Sequence, residues 1–101
     1  MGLYDDSYNW AFAVGKRITE QNEDLLRRLI FAVRGEETPG RFLDKLSETI
    51  AEYRTNRSIN LDVSLHPSIF AQDWFADRFY YLKASILSGF LNALATTRGR
   101  E

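Results

Sequence analysis

The chain has 101 residues, 13 basic and 14 acidic side chains, a formal charge of −1 and 45% hydrophobic residues. This fits one globular domain and excludes a disordered chain, a collagenous one and a histone-like polycation. There is no cysteine and one histidine, His66, which excludes disulfides, thiolate catalysis and cysteine or multi-histidine metal centres.

No run approaches 18 apolar residues, so no membrane span is expected. Met1–Asp6 lacks the basic and apolar regions of a secretory signal. Gly2 followed by Ser7 misses the myristoylation spacing. The expectation is a cytoplasmic protein with a single helical domain over residues 1–101, of which 98–101 form a frayed tail.

The first predicted helix runs from about Asp6 to Thr19, with Asp5 or Asp6 as its cap. Trp10, Val14 and Ile18 recur every four residues on one face, beside a smooth strip of Ala11 and Gly15. The second helix spans about Glu23 to Arg34. Asn22 is its N-cap, and Glu23 and Asp24 lie at the positive end of the dipole. Leu25, Leu26, Leu29, Ile30 and Val33 form its apolar face, and Gly35 is expected to stop it in the left-handed conformation. The third helix opens with Thr38 as N-cap and Pro39 at the first helical position, and continues to about Thr55. Phe42, Leu43, Leu46, Ile50 and Tyr53 give it steps of three and four.

Residues 56–67 alternate Ile59, Leu61, Val63 and Leu65 with polar neighbours, which is a strand pattern. No second segment could pair with such a strand, and a lone one leaves its backbone groups without partners. The segment is therefore read as an extended connector laid over a helical core. The last helix is expected over about Ser68 to Thr97, broken near Asp73. Phe75, Phe79, Leu82, Ile86, Phe90 and Ala93 make one stripe. Tyr80, Leu87, Leu91 and Leu94 make a second, which predicts a central helix buried over more than half its circumference. Its regular part of about 24 residues would be ~36 Å long. Ser85, Gly89 and Ala93, four apart, would admit another backbone, and the Ala11/Gly15 strip is the partner expected. The resulting fold class is all-α: a small four- or five-helix bundle with one extended connector.

Few constellations suit catalysis. His66 lies near Asp62 and Ser64, but residues so close on one extended segment cannot align nucleophile, base and orienter. Asp73 and Asp77 are four apart and Asp5 and Asp6 adjacent. Such pairs can bind a hard cation or move protons, but cap and ion-pair roles account for them. No phosphate-cradling glycine motif is present, and no cofactor is expected.

The cations are more informative, because ten are arginine and three lysine. Arginine suits planar, bidentate contact with phosphate or carboxylate. Lys16 and Arg17 end the first helix, and Arg27, Arg28 and Arg34 lie on the second. Arg41 and Lys45 are four apart on the third, and Arg54 and Arg57 mark its end. Two readings stand: a groove for nucleic acid, or a solvated face whose arginines pair with nearby Glu20, Glu23, Asp24, Asp44, Glu48 and Glu52. Trp10, Trp74, Phe75, Phe79, Tyr80 and Tyr81 could stack bases, although helical spacing makes such residues core more often. Trp74 and Tyr81, seven apart and off the main stripe, are the candidates for a partner surface.

The run Gly40–Arg54, GRFLDKLSETIAEYR, then a connector, then Phe79–Leu94, FYYLKASILSGFLNAL, resembles the C-terminal helical part of type I CRISPR large subunits. Some systems also make that part as a separate small subunit of the Cascade effector complex. The resemblance covers about residues 23–95 and is one of texture and order. It implies a non-catalytic helical bundle that assembles with the large subunit, the backbone subunits and further copies of itself. There it would support the guide–target duplex and the displaced DNA strand, contacting guide RNA and target DNA. The positions that would serve are Lys16, Arg17, Arg27, Arg28, Arg34, Arg41, Lys45, Arg54 and Arg57. The slight net acidity favours binding within an assembly. The rival reading is a helical protein–protein adaptor with no nucleic-acid contact, using Trp74, Tyr81 and the small-residue strip.

Overall fold

A computed structural model describes residues 3–61 and 72–98, with side chains over 5–61 and 75–97. The described residues form five α-helices and no strand: α1 (Leu3–Gln21), α2 (Glu23–Arg34), α3 (Pro39–Asn56), α4 (Gln72–Asp77) and α5 (Phe79–Arg98). The fold is all-α, as the apolar periodicity requires.

The start and stop signals act largely as their chemistry dictates. The Asn22 side chain accepts the Asp24 N–H at 2.9 Å, and Asn22 is the only residue between α1 and α2. Thr38 caps α3 through the Arg41 N–H at 3.4 Å, with Pro39 just inside. α1 begins earlier than expected, at Leu3, so Asp5 and Asp6 sit within its first turn rather than capping it. There they still face the positive end of the dipole. Gly35 does not close α2 in the left-handed conformation: its φ is −85°, and the chain turns off through the Glu36 N–H bonded to the Val33 carbonyl. The left-handed residue is Ser58, φ 54°, just past α3, where Arg57 and Ile59 both donate to the Tyr53 carbonyl.

The expected long last helix is two. A break lies at Arg78, and α5 is 20 residues, about 30 Å, rather than 24; the chain before Gln72, on which the expected break near Asp73 depends, lies outside the described residues. Of the connector, Ile59 and Leu61 are buried as expected; Val63 and Leu65, like His66, Asp62 and Ser64, lie outside the described residues.

α1 and α5 pack together over their whole length. Ala11 meets Gly89, Gly15 meets Ala93 and Thr19 meets Thr97, so the pairs advance by four on both helices and the two run parallel. A Cβ added at Gly89 would stand 2.6 Å from the Tyr8 carbonyl oxygen, 2.8 Å from Ala11 Cβ and 3.0 Å from the Phe12 nitrogen. The expected small-residue seam is therefore present. α2 returns antiparallel, with Leu26 against the Gly15 end of the seam. At its far end the Lys83 ammonium donates to the Glu36 carbonyl at 2.6 Å. α3 runs back again: Tyr53 near its end donates to the Leu25 carbonyl at 2.7 Å, and Phe42 near its start packs on Phe75 and Phe79.

The core contains the main stripe of the last helices: Phe75, Phe79, Leu82, Ile86, Phe90 and Ala93 are all buried. The second stripe is not core. Tyr80 and Leu91 are exposed and Leu87 and Leu94 only partly buried, so α5 buries one face rather than most of its circumference. Among the described residues, no helix is long and apolar enough to cross a membrane.

Candidate nucleic-acid interface

α2 is twelve residues long and divides cleanly. Leu25, Leu26, Leu29 and Val33 are buried. At 100° per residue their mean direction lies about 175° from Phe31, so Phe31 points directly away from the core. It is 69% exposed. Arg27 and Arg34 lie one turn to either side along the same stripe, and Arg28 stands beside them. The Arg34 guanidinium carbon sits 4.4 Å from the centre of the Phe31 ring. Arg27, Arg28, Phe31 and Ala32 line a shallow depression of about 350 Å³.

The arginines differ in how they are held. Arg27 bonds Asp24 at 2.7 Å and Glu23 at 3.3 Å. The hydrogen bond to Asp24 is the main reason its pKa lies above the ordinary value, against a counteracting desolvation. Among the described residues, Arg17, Arg28, Arg34, Arg41, Lys45, Arg54 and Arg57 form no such pair and are exposed. Arg28 and Arg57 both act on the Tyr53 phenol from different segments. Burial pushes that phenol above the usual tyrosine range and Glu52 adds to the effect, while the two guanidiniums pull the other way. Arg28 from the middle of α2 thus lies near Tyr53 together with Arg54 and Arg57 from the end of α3. Lys16 and Arg17, in the last turns of α1, belong to the same end of the bundle, with Lys16 half-buried and Arg17 exposed.

Arg41 and Lys45 are elsewhere. They lie near the start of α3, in a depression of about 290 Å³ shared with Glu36, Asp44 and Glu48. Arg34 also lies toward that end of the bundle. The nine basic positions therefore divide by helix direction between two ends of the bundle, and both ends carry carboxylates: Glu20, Glu23, Asp24 and Glu52 at one, Glu36, Asp44 and Glu48 at the other.

Tyr81 is exposed and lines a groove of about 540 Å³ with Asp5, Tyr8, Ala84, Ser85 and Ser88, between the first turns of α1 and α5. The Trp74 side chain lies outside the described residues, and the break at Arg78 separates its helix from that of Tyr81. Asp5, Asp6 and Asp77 are exposed, the Asp73 side chain is not described, and no group of three or more metal-ligating residues occurs among the described residues.

Phe31 is not among the residues expected from sequence, although its angle on α2, opposite the apolar face, is a signal for it. Nor is the Lys83 bond to the Glu36 carbonyl expected, for which a local pattern gives no signal because the partners are 47 residues apart. Comparison with protein-family models, with curated proteins and with solved structures finds no match to this chain.

Proposed function

We propose that this bundle is a non-catalytic subunit that supports nucleic-acid backbones through the arginines of α2 and the end of α3. The observation that carries the reading is that Arg28, Arg34, Arg54 and Arg57 are exposed and, among the described residues, carry no intramolecular ion pair, whereas Arg27 has two. Arginines held by carboxylates would support a solvated face instead. Contacts of this kind neutralise phosphates and release counterions without reading sequence. The resemblance to the small subunit of CRISPR Cascade complexes gives the reading its specific form: an RNA-guided assembly in which guide RNA and target DNA are the ligands and larger subunits the partners.

The test replaces Arg28, Arg54 and Arg57 together by glutamine, with Arg41→Gln/Lys45→Gln as the control. Binding to labelled DNA is followed across salt concentrations. The triple variant should weaken binding alike for all sequences and lower the salt slope by about 0.7–0.9 per lost phosphate contact. The control should change it less, because Arg41 and Lys45, although they form no ion pair among the described residues, share their depression with Glu36, Asp44 and Glu48, which lower the local positive potential. Equal affinities for the parent and the triple variant at both low and high salt would refute the role. Co-purification of RNA and larger subunits with the native protein tests the Cascade form of the proposal.

A second reading, a protein adaptor, is favoured by one observation. Tyr80, Tyr81 and Leu91 on α5 are 75%, 71% and 51% exposed. Protein co-purification that survives nuclease treatment, with salt-independent DNA behaviour, would put that reading first.

A further inference from the structure

The solvent face of α2 carries more than charge. Phe31 has no place in the core, and its ring stands at the centre of the outer face, 69% exposed. Exposing a phenylalanine on an otherwise well-segregated amphipathic helix forgoes the gain of burying it. Arg28 and Arg34 are each three residues from Phe31, about 4.5 Å along the axis on either side of it. One of them, Arg34, already lies over the ring at 4.4 Å, the distance of a cation–π contact. An aromatic ring bracketed by arginines that no carboxylate claims has the chemistry for a base with phosphates on both flanks.

We propose that Phe31 is a base-stacking platform and that Arg28 and Arg34 hold the adjoining phosphates, so that α2 takes an unpaired nucleic-acid strand in preference to a duplex. The proposal rests on the nucleic-acid reading above and narrows its ligand. A duplex keeps its bases stacked on one another and presents only backbone to a helix face of this kind. An unpaired strand can turn a base onto the ring, displacing or sandwiching the Arg34 guanidinium. Because every base has a π-face, the selection is for strandedness and not for sequence.

The experiment uses the full chain and two fluorescent probes, an oligothymidylate of about 20 nucleotides and a duplex of about the same length, at roughly 50 mM salt. Phe31→Ala should weaken binding to the single strand roughly 5- to 100-fold. Its duplex affinity should stay within about twofold, since no phosphate contact is lost. Phe31→Trp should restore single-strand binding, while Phe31→Leu, which keeps apolar area without a ring, should not. Arg28→Gln/Arg34→Gln should weaken both probes. If Phe31→Ala leaves single-strand binding unchanged, or weakens both probes alike, the stacking role is overturned, and the arginine variants then decide phosphate support by themselves. If the arginine variants change neither probe, or the parent binds neither, both the stacking role and the reading beneath it fall. Circular dichroism of each variant should match the parent, because the ring lies outside the core.

Discussion

Along the α1–α5 seam the side chains are small and the backbones meet; along the outer face of α2 they are long, and solvent surrounds them. At the seam, Ala11, Gly15, Gly89 and Ala93 leave no room for an added methyl group. On α2, Arg28, Phe31 and Arg34 are exposed, and a Cβ at the neighbouring Gly35 would meet no atom within 4 Å. The seam fixes two parallel helices in register and tolerates little change. The α2 face contributes little to folding, so its composition calls for another explanation, and the proposed ligand contact is the one tested above.

The largest expected effect tests the seam. Gly89→Ala places its methyl group 2.6 Å from the Tyr8 carbonyl and 3.0 Å from the Phe12 nitrogen, both backbone atoms of α1. Backbone cannot rotate aside as a flexible side chain can, so the helices must separate. The cost should be at or above the upper part of the roughly 1–3 kcal/mol range for overpacking. Denaturant titration would show it as a lower midpoint, and a midpoint equal to the parent's would mean the two helices do not pack through this residue.

An intermediate effect is expected where α3 is tied to α2. Tyr53→Phe removes the hydroxyl that donates to the Leu25 carbonyl at 2.7 Å, which should cost about 1 kcal/mol. The same phenol links stability to pH. Its pKa is raised in the folded state, by burial first and then by Glu52, so the folded chain holds the proton more tightly than the unfolded chain. That contribution is fully present below the ordinary tyrosine value near 10 and is lost as pH rises through the higher folded value. Melting temperature should fall on this alkaline limb, and the fall should be smaller in Tyr53→Phe. Since Arg28 lowers this pKa, Arg28→Gln should extend the limb to higher pH and deepen it, with its onset near 10 unchanged, and an unextended limb would separate Arg28 from Tyr53.

The sequence made most of this architecture legible, for reasons that differ by element. α2 and α3 were readable to within a residue because the Asn22 and Thr38 side chains accept N–H groups two and three positions on, and Pro39 fits the first helical position, where no N–H is needed. The seam was readable because four-residue spacing of small side chains has one geometric consequence on a helix. The break at Arg78 was not, since no proline or glycine marks it and apolar spacing continues smoothly from Phe75 to Phe79 across it. Burial of the second α5 stripe was overestimated, because periodicity shows that residues share a face but not whether another helix covers it. The division of the nine cations between two ends depends on helix direction, which no local pattern contains.

The smallest effect separates the two ways of reading Gly35, and with them the two regions. A left-handed stop, the expectation from sequence, needs glycine, and Gly35→Ala would then strain the backbone. The structure instead gives φ −85°, ψ −6°, a conformation open to alanine, with no atom within 4 Å of the new methyl group. The substitution then mainly narrows the unfolded ensemble, so it should stabilise by about 0.4–1 kcal/mol. In a domain of this size that is a rise in melting temperature of roughly 2–6 °C. The same change, glycine to alanine, thus has opposite signs at Gly89 and Gly35, because one Cβ meets backbone and the other meets solvent. A fall in melting temperature for Gly35→Ala would return the left-handed cap to α2. It would also change the path from α2 into α3 and so the placement of Glu36, whose carbonyl receives the Lys83 ammonium.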